Sequence, residues 1–189
     1  LSLPITLIWI LAITNAVNLI DGLDGLATGV AIIALSTSAV TGYFFLNVTN
    51  TFISIMMFTL VAALIGFLPY NFHPAKIYLG DTGSLFIGFM ISVFALYGLK
   101  NATFITIIIP VIILGVPITD TVYAILRRIL NKKPISQADK HHLHHRLMQM
   151  GLSHRQTVLV IYGIALIFSS ISLLYPISSF WGSVLLTVA

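Results

Sequence analysis

Cysteine and glutamate are both absent from this 189-residue chain, and charged residues of any kind make up only 7% of it. The missing thiols exclude a disulfide framework, thiolate metal ligation and a cysteine nucleophile. The scarcity of charge, together with 58% hydrophobic residues and a mean hydropathy of +1.05, excludes an ordinary soluble domain. The net charge of +4 comes without interleaved basic and aromatic residues, so nothing speaks for nucleic acid as a partner. The chain reads as a membrane protein, with lipids as its first partner.

Apolar runs that could cross a bilayer lie at about Leu3–Ile20, Leu26–Leu46, Phe52–Pro69, Leu85–Leu99, Ala102–Leu126 and Thr157–Tyr175, with a truncated run from Phe180. Lipid offers backbone amides no partner, so these runs must be helices. The expected fold class is all-α: a polytopic transmembrane helix bundle of about six full spans plus a truncated one, a single membrane domain over residues 1–189. The fourth run is short and should extend into its flanking loops. Pro110, Gly115 and Pro117 should bend or break the fifth. The chain opens on Leu1 inside one apolar run and closes inside another, so an internal or C-terminal fragment of a longer protein is expected.

Seven of the nine basic residues (Arg127, Arg128, Lys132, Lys133, Lys140, Arg146 and Arg155) fall between the fifth and sixth runs. The positive-inside rule makes that loop, about residues 127–156, cytoplasmic. Counting spans backward puts the loops at about 21–25 and 70–83 on the same side. All five aspartates and all six histidines then gather at one face. Asp120, seven residues before Arg127, is the acid set deepest in a span, at roughly 10 Å by helical rise.

Three polar segments meet there. In "NAVNLIDGLDGLATG", residues 15–29, Asn18, Asp21 and Asp24 recur at every third position, which on a helix end forms one slowly drifting stripe. A plain turn between two helices reads the same residues equally well. In "GDTGS", residues 80–84, Asp81 stands between two glycines just before a helix, with Thr82 or Ser84 as its cap. Exposed amides beside a carboxylate suit a Mg²⁺ bridged to a diphosphate, whereas a simple N-cap is the plainer account. Asn71, His73, Lys76 and Tyr78 lie close by in the same loop. In the third segment, His141, His142, His144, His145 and Arg146 crowd into six positions. Zinc ligation, a basic loop beside lipid headgroups and an anion clamp are the three readings, and the absence of cysteine and of an HExxH helix favours the clamp.

The order and spacing of "NxxNxxDGLDGLA" (15–27), "YNxxPAxxYxGDTGS" (70–84) and "HLHHRL" (142–147) resemble those of the polyprenyl-phosphate N-acetylhexosamine-1-phosphate transferases, glycosyltransferase family 4. "HLHHRL", "PVIILGVPITDT" and "RLMQMGLSHRQTVL" look most like the undecaprenyl-phosphate GlcNAc-1-phosphate transferases that initiate Gram-positive teichoic acid synthesis. The resemblance implies a phosphoglycosyl transferase in the bacterial plasma membrane with its active site facing the cytoplasm. It would move GlcNAc-1-phosphate from UDP-GlcNAc to undecaprenyl phosphate, release UMP, and require Mg²⁺, with Mn²⁺ as the substitute. It also implies catalytic roles for Asp21, Asp24, Asp81, His144 and His145, with Asp81 on the metal. Substrate contacts would come from Asn18, Asp24, Asn71, Tyr78, His142 and Arg146, with Asp24 bonding uracil and Tyr78 stacking on it. A homodimer is compatible with such a chain. The family's Asp-Asp pair, N-terminal to the first motif, has no counterpart here. Two alternatives are carried along: a phospho-MurNAc-pentapeptide translocase-like transferase and a cation-coupled transporter, whose polar groups would sit near the bilayer midplane.

Overall fold

The computed structural model describes residues 3–44, 51–98, 110–130 and 142–174. They form α1 (Leu3–Ile20), α2 (Leu26–Phe44), α3 (Thr51–Asn71), α4 (Gly80–Gly98), α5 (Gly115–Leu130), α6 (Leu143–Gln149) and α7 (His154–Leu174). Five of these, α1 to α4 and α7, are long and apolar enough to cross a membrane, which makes the chain a multi-pass membrane protein. The fourth span does reach back into its loop, starting at Gly80 rather than Leu85. The truncated run from Phe180, and the first part of the fifth run, lie outside the described residues.

The fifth run is broken where its prolines and glycine predict. A short helical stretch at 110–113 ends in a turn at Leu114, and α5 begins at Gly115. Pro117 has no N–H for the preceding turn. The Thr119 hydroxyl donates to the carbonyl oxygens of Gly115 at 2.5 Å and Val116 at 3.2 Å, a local repair of the kind that lets a broken helix survive in lipid.

α2 is the centre of the bundle: 61% of its span is buried, against 22% for α1. It packs between α3 and α7, while α1 lies along α4 and meets α5. Ile13, Val17, Leu35, Ile87, Phe94 and Leu114 belong to one buried cluster. A second, with Ile20, Leu26, Val116, Val158 and Ile161, underlies the polar end, and Leu79 packs against both. Lipid tails are as apolar as leucine, so helices here adhere by close approach rather than by escape from water. Gly88 supplies such an approach, since a β-carbon there would stand 2.9 Å from the Thr14 backbone. Gly29 supplies another, because its β-carbon would fall inside the Tyr162 ring.

Gly29→Ala should therefore lower the thermal stability of the detergent-solubilised protein by about 1–3 kcal/mol, the usual cost of overpacking a tight contact. Gly66, where an added β-carbon would meet nothing within 4 Å, is the control. Gly66→Ala should be neutral or stabilising by up to roughly 1 kcal/mol, from helix propensity alone.

Candidate active site

The C-terminal ends of α1 and α3 and the N-terminal ends of α2, α4 and α7 meet at one end of the bundle, and Asp120, in the second turn of α5, is bonded by the start of α6. α1 stops at Ile20, and residues 21–25 form a turn. The Asn18–Asp21–Asp24 stripe expected on a helix therefore divides, and its two carboxylates face different neighbours.

Asn18, still on α1, donates from Nδ2 to Asp81 Oδ1 at 3.2 Å and to Ser84 Oγ at 2.8 Å. Ser84 is buried inside α4 and donates back to the Gly80 carbonyl at 3.0 Å, so it is a latch within the first turns and not the N-cap the sequence suggested. Gly80 has a φ of +64°, the left-handed conformation that favours glycine, and it turns the chain into α4 with Asp81 exposed in the first turn. Asp21 has its pKa pushed up to about 6, first by burial and then by the negative charges of Asp81 and Asp24. Asp21 and Asp81 are thus close enough for each to feel the other's charge.

The histidine segment is set by an acid the sequence reading did not include in its site. Asp120 Oδ2 lies 2.8 Å from His142 Nδ1, and Asp120 Oδ1 accepts the Leu143 amide at 2.8 Å. Both side chains are more than nine-tenths buried, so the contact is shielded from water. His142 therefore braces the start of α6 through its Nδ1, which is committed to Asp120, while its ring also lines the cleft described below. Two residues on, His144 lies parallel to His142 with ring centroids 5.9 Å apart, and beside His145 at 4.2 Å. His144 is buried over Gly22, where a β-carbon would come within 2.6 Å of its Nε2. Burial, then the neighbouring His145 and His142, depress its pKa to about 4. At neutral pH His144 is therefore a neutral imidazole offering one N–H, not an imidazolium. His141 lies outside the described residues.

Asp24 is turned the other way. Its Oδ2 meets His73 Nδ1 at 2.9 Å and accepts the Ala75 amide at 3.1 Å, while Arg155 Nε donates to the His73 carbonyl at 3.0 Å. Burial pushes the Asp24 pKa up, but the bonds from His73 and Ala75 and the charges of His154 and His73 outweigh it and leave the carboxyl below its ordinary value. Asn71 is buried, accepting from Thr28 Oγ1 at 2.7 Å and donating to the Ile77 carbonyl at 3.1 Å. Both ends of its amide are engaged, so Asn71 shapes the 72–79 connection instead of facing a substrate. Asp24 likewise braces that connection, through its Oδ2. The braced segment presents Tyr78 at 73% exposure, an open aromatic face.

Between α1 and α5, closed at one end by α6, runs a cleft of about 780 Å³. Asn15, Asn18, Asp21, Arg128 and the three histidines 142, 144 and 145 line its polar end, and Leu11, Leu19, Ile118, Val122 and Ile125 continue it along the helices. Of the residues expected to act together, Asn18, Asp21, His142, His144 and His145 line this cleft, and Asp81 adjoins it through Asn18. Asp24, Asn71 and Tyr78 stand outside it. Arg146 is exposed and lines a smaller hollow of about 180 Å³ with Arg127, Tyr123 and Asp120. Asp120 and Arg128 are the residues sequence reasoning left out of the site. The depth of Asp120 in an apolar helix was the available signal, because a carboxylate there needs a partner.

A polytopic helical membrane protein with an acid- and histidine-lined cleft at one end of its bundle is the class these features define. Residues 1–99 match glycosyl transferase family 4, and the chain belongs to that family. It is 55% identical over 182 residues to a probable undecaprenyl-phosphate N-acetylglucosaminyl 1-phosphate transferase of Bacillus subtilis, covering 96% of this chain and 50% of that protein. A decaprenyl-phosphate N-acetylglucosaminephosphotransferase of Mycolicibacterium smegmatis is 38% identical over 179 residues, 85% of this chain and 44% of the relative. A phospho-N-acetylmuramoyl-pentapeptide-transferase of Clostridium beijerinckii is 37% identical over 189 residues, 95% and 51% of the two chains. The chain spans about half the length of the curated relatives it matches.

Asp21 gives a pH test. Its folded pKa of about 6 lies above the ordinary 3.8, so the folded state holds the proton more tightly and stability falls as pH rises from about 4 to about 6. Asp21→Asn removes that loss. Without divalent cations, the variant should exceed the wild type at pH 7 by about 1–2 kcal/mol, below the full linkage value because an open cleft screens charge. At pH 4 the two thermal midpoints should converge; a constant gap across this range would refute the assignment.

Proposed function

We propose that the full-length protein transfers GlcNAc-1-phosphate from UDP-GlcNAc to undecaprenyl phosphate at the cytoplasmic face of the membrane, giving a lipid-linked diphosphate sugar and UMP. The product would be the first lipid-linked intermediate of a cell-wall polymer, teichoic acid by resemblance. The observation that carries this reading is the cleft. Its charged and hydrogen-bonding end opens directly onto an apolar wall between α1 and α5, which suits an acceptor with an anionic head and an isoprenoid tail. The names of the relatives, which specify polyprenyl phosphates and N-acetylglucosamine phosphate transfer, point the same way.

In this reading an acceptor phosphate oxygen attacks the sugar-bearing phosphorus of the donor. The bond from that phosphorus to the bridging oxygen breaks, and UMP leaves with the electron pair. Little covalent chemistry falls to the protein, so positioning and charge stabilisation dominate. Asp21 and Asp81 are oxygen donors, and burial together with the Asp81 charge raises the Asp21 pKa, a donor set that fits a Mg²⁺ or Mn²⁺ ion. When bound, such an ion supplies neutralisation of the diphosphate charge. Asn18 orients Asp81 and leaves its second oxygen unbonded by that amide. His144 and His145 supply N–H donors for phosphoryl oxygens, with His142 and Asp120 holding them in register. Tyr78 offers the stacking surface for the base, and Arg146 a cationic group beside α6. Asp24 serves the donor indirectly, by fixing the Tyr78 segment. The 55% identity to the Bacillus relative, against 37% to the pentapeptide transferase, favours the GlcNAc reading. The polar groups gather at one end of the helices, which disfavours a transporter.

Reconstituted full-length enzyme carrying Asp81→Asn should lose turnover at every Mg²⁺ concentration, and should also lose the rise in thermal midpoint that Mg²⁺ gives the wild type. Near-normal turnover would remove Asp81 from the metal. His144→Ala should lower turnover by roughly a hundredfold, as for a lost preorganised donor, with a smaller change in the KM for UDP-GlcNAc. A KM effect that accounts for the whole loss would make His144 a binding group only.

A further inference from the structure

Asp24, His73 and His154 come from three separate segments, the 21–25 turn, the 72–79 connection and the first residue of α7. One potential ligand atom from each lies within 4.8 Å of the other two. The sequence had directed any thought of zinc to the histidines of residues 141–145. There, however, His142 Nδ1 is taken by Asp120 and His144 is pressed against Gly22. We propose that Asp24, His73 and His154 form a second metal site, for a Zn²⁺-class transition ion, distinct from the oxygen-donor edge of Asp21 and Asp81.

The chemistry of the set supports it. Two imidazoles and one carboxylate make a three-ligand site for zinc, with water completing a tetrahedron, while Mg²⁺ would prefer oxygen alone. Zinc–ligand bonds near 2.0 Å set neighbouring donor atoms at about 3.3 Å in a tetrahedron. The His73 Nδ1 to Asp24 Oδ2 separation is 2.9 Å, so replacing the shared proton by an ion needs an opening of a few tenths of an ångström. The His73 and His154 rings stack with centroids 4.0 Å apart and planes 19° from parallel, which leaves their nitrogens close together. A second observation singles out His154: its Nε2 is buried and has no hydrogen-bond partner among the described residues. An orphaned, buried imidazole nitrogen beside a carboxylate–histidine pair is the arrangement a cation would complete.

The surroundings would orient the ligands. Ala75 N–H holds Asp24 Oδ2, and Arg155 Nε holds the His73 carbonyl, turning its charge toward that oxygen. The ion would staple α7 to the 21–25 turn and to the 72–79 connection, and so set the placement of Tyr78 and of Asp81 just beyond it. The proposal rests on these contacts and not on the transferase reading, so either can fail alone.

The test uses the tag-free full-length protein, stripped with chelator and dialysed against buffered Zn²⁺. Metal analysis should find about one equivalent, and Co²⁺ titration followed by visible absorption should give the bands of a low-coordinate N/O site. His73→Ala and His154→Ala should each weaken Co²⁺ binding by at least roughly tenfold, while His145→Ala should leave it unchanged. Zn²⁺ should also shield His73 and His154 from carbethoxylation in the unmutated protein, a readout that no folding defect can imitate. Less than about a tenth of an equivalent of zinc, equal affinity in all three variants, or shielding confined to His142, His144 and His145 would each overturn the proposal.

Discussion

The pair between Asp120 and the start of α6 is the contact on which the working end depends. A carboxylate buried on an apolar helix is costly unless it is fully bonded. Here one oxygen meets an imidazole and the other a backbone amide, both at 2.8 Å. The double bond fixes where α6 begins and which way it runs. His144 then falls over Gly22, His145 falls beside it, and the cleft between α1 and α5 acquires its polar end wall. Removing either the Asp120 carboxylate or the His142 imidazole would leave the other stranded, so the histidines are held by the cost of letting go as much as by the strength of the bond.

The second organising feature is the 21–25 turn, which sets two aspartates in opposite electrostatic company. Asp21 faces other acids and is held partly protonated near neutrality; Asp24 faces donors and stays ionised. Three residues of separation on one helix would have left them in a common environment. Ending α1 at Ile20 gives each its own. One carboxylate is thereby left wanting a cation, and the other is used to hold a connecting segment still.

Span positions and fold class were legible because an apolar run in lipid has only one regular conformation open to it. The break near Gly115 was equally legible, since Pro110 and Pro117 remove backbone donors outright. Membership of the site was less so. Asn71 and His142 look like ligands in a motif, yet Thr28 and Ile77 take both ends of the Asn71 amide and Asp120 takes Nδ1 of His142, partners that lie 43, 6 and 22 residues away. A string of residues does not say which polar atoms a fold has already consumed. Asp24 shows the same limit, its bonded partner His73 being 49 residues on. Asp120 was visible as the deepest acid, but its partner could be found only once α6 was seen to fold back against α5.

Tyr162 of α7 reaches across the tight contact at Gly29 and donates its hydroxyl to the Gly25 carbonyl at the end of the aspartate turn. The backbone that presents Asp21 and Asp24 is thus tethered by a phenol rooted within the span of a membrane helix. Bilayers of different thickness tilt or shift such helices at small cost per ångström. Through this one tether, lateral conditions in the lipid become mechanically connected to the spacing of carboxylates that lie outside it.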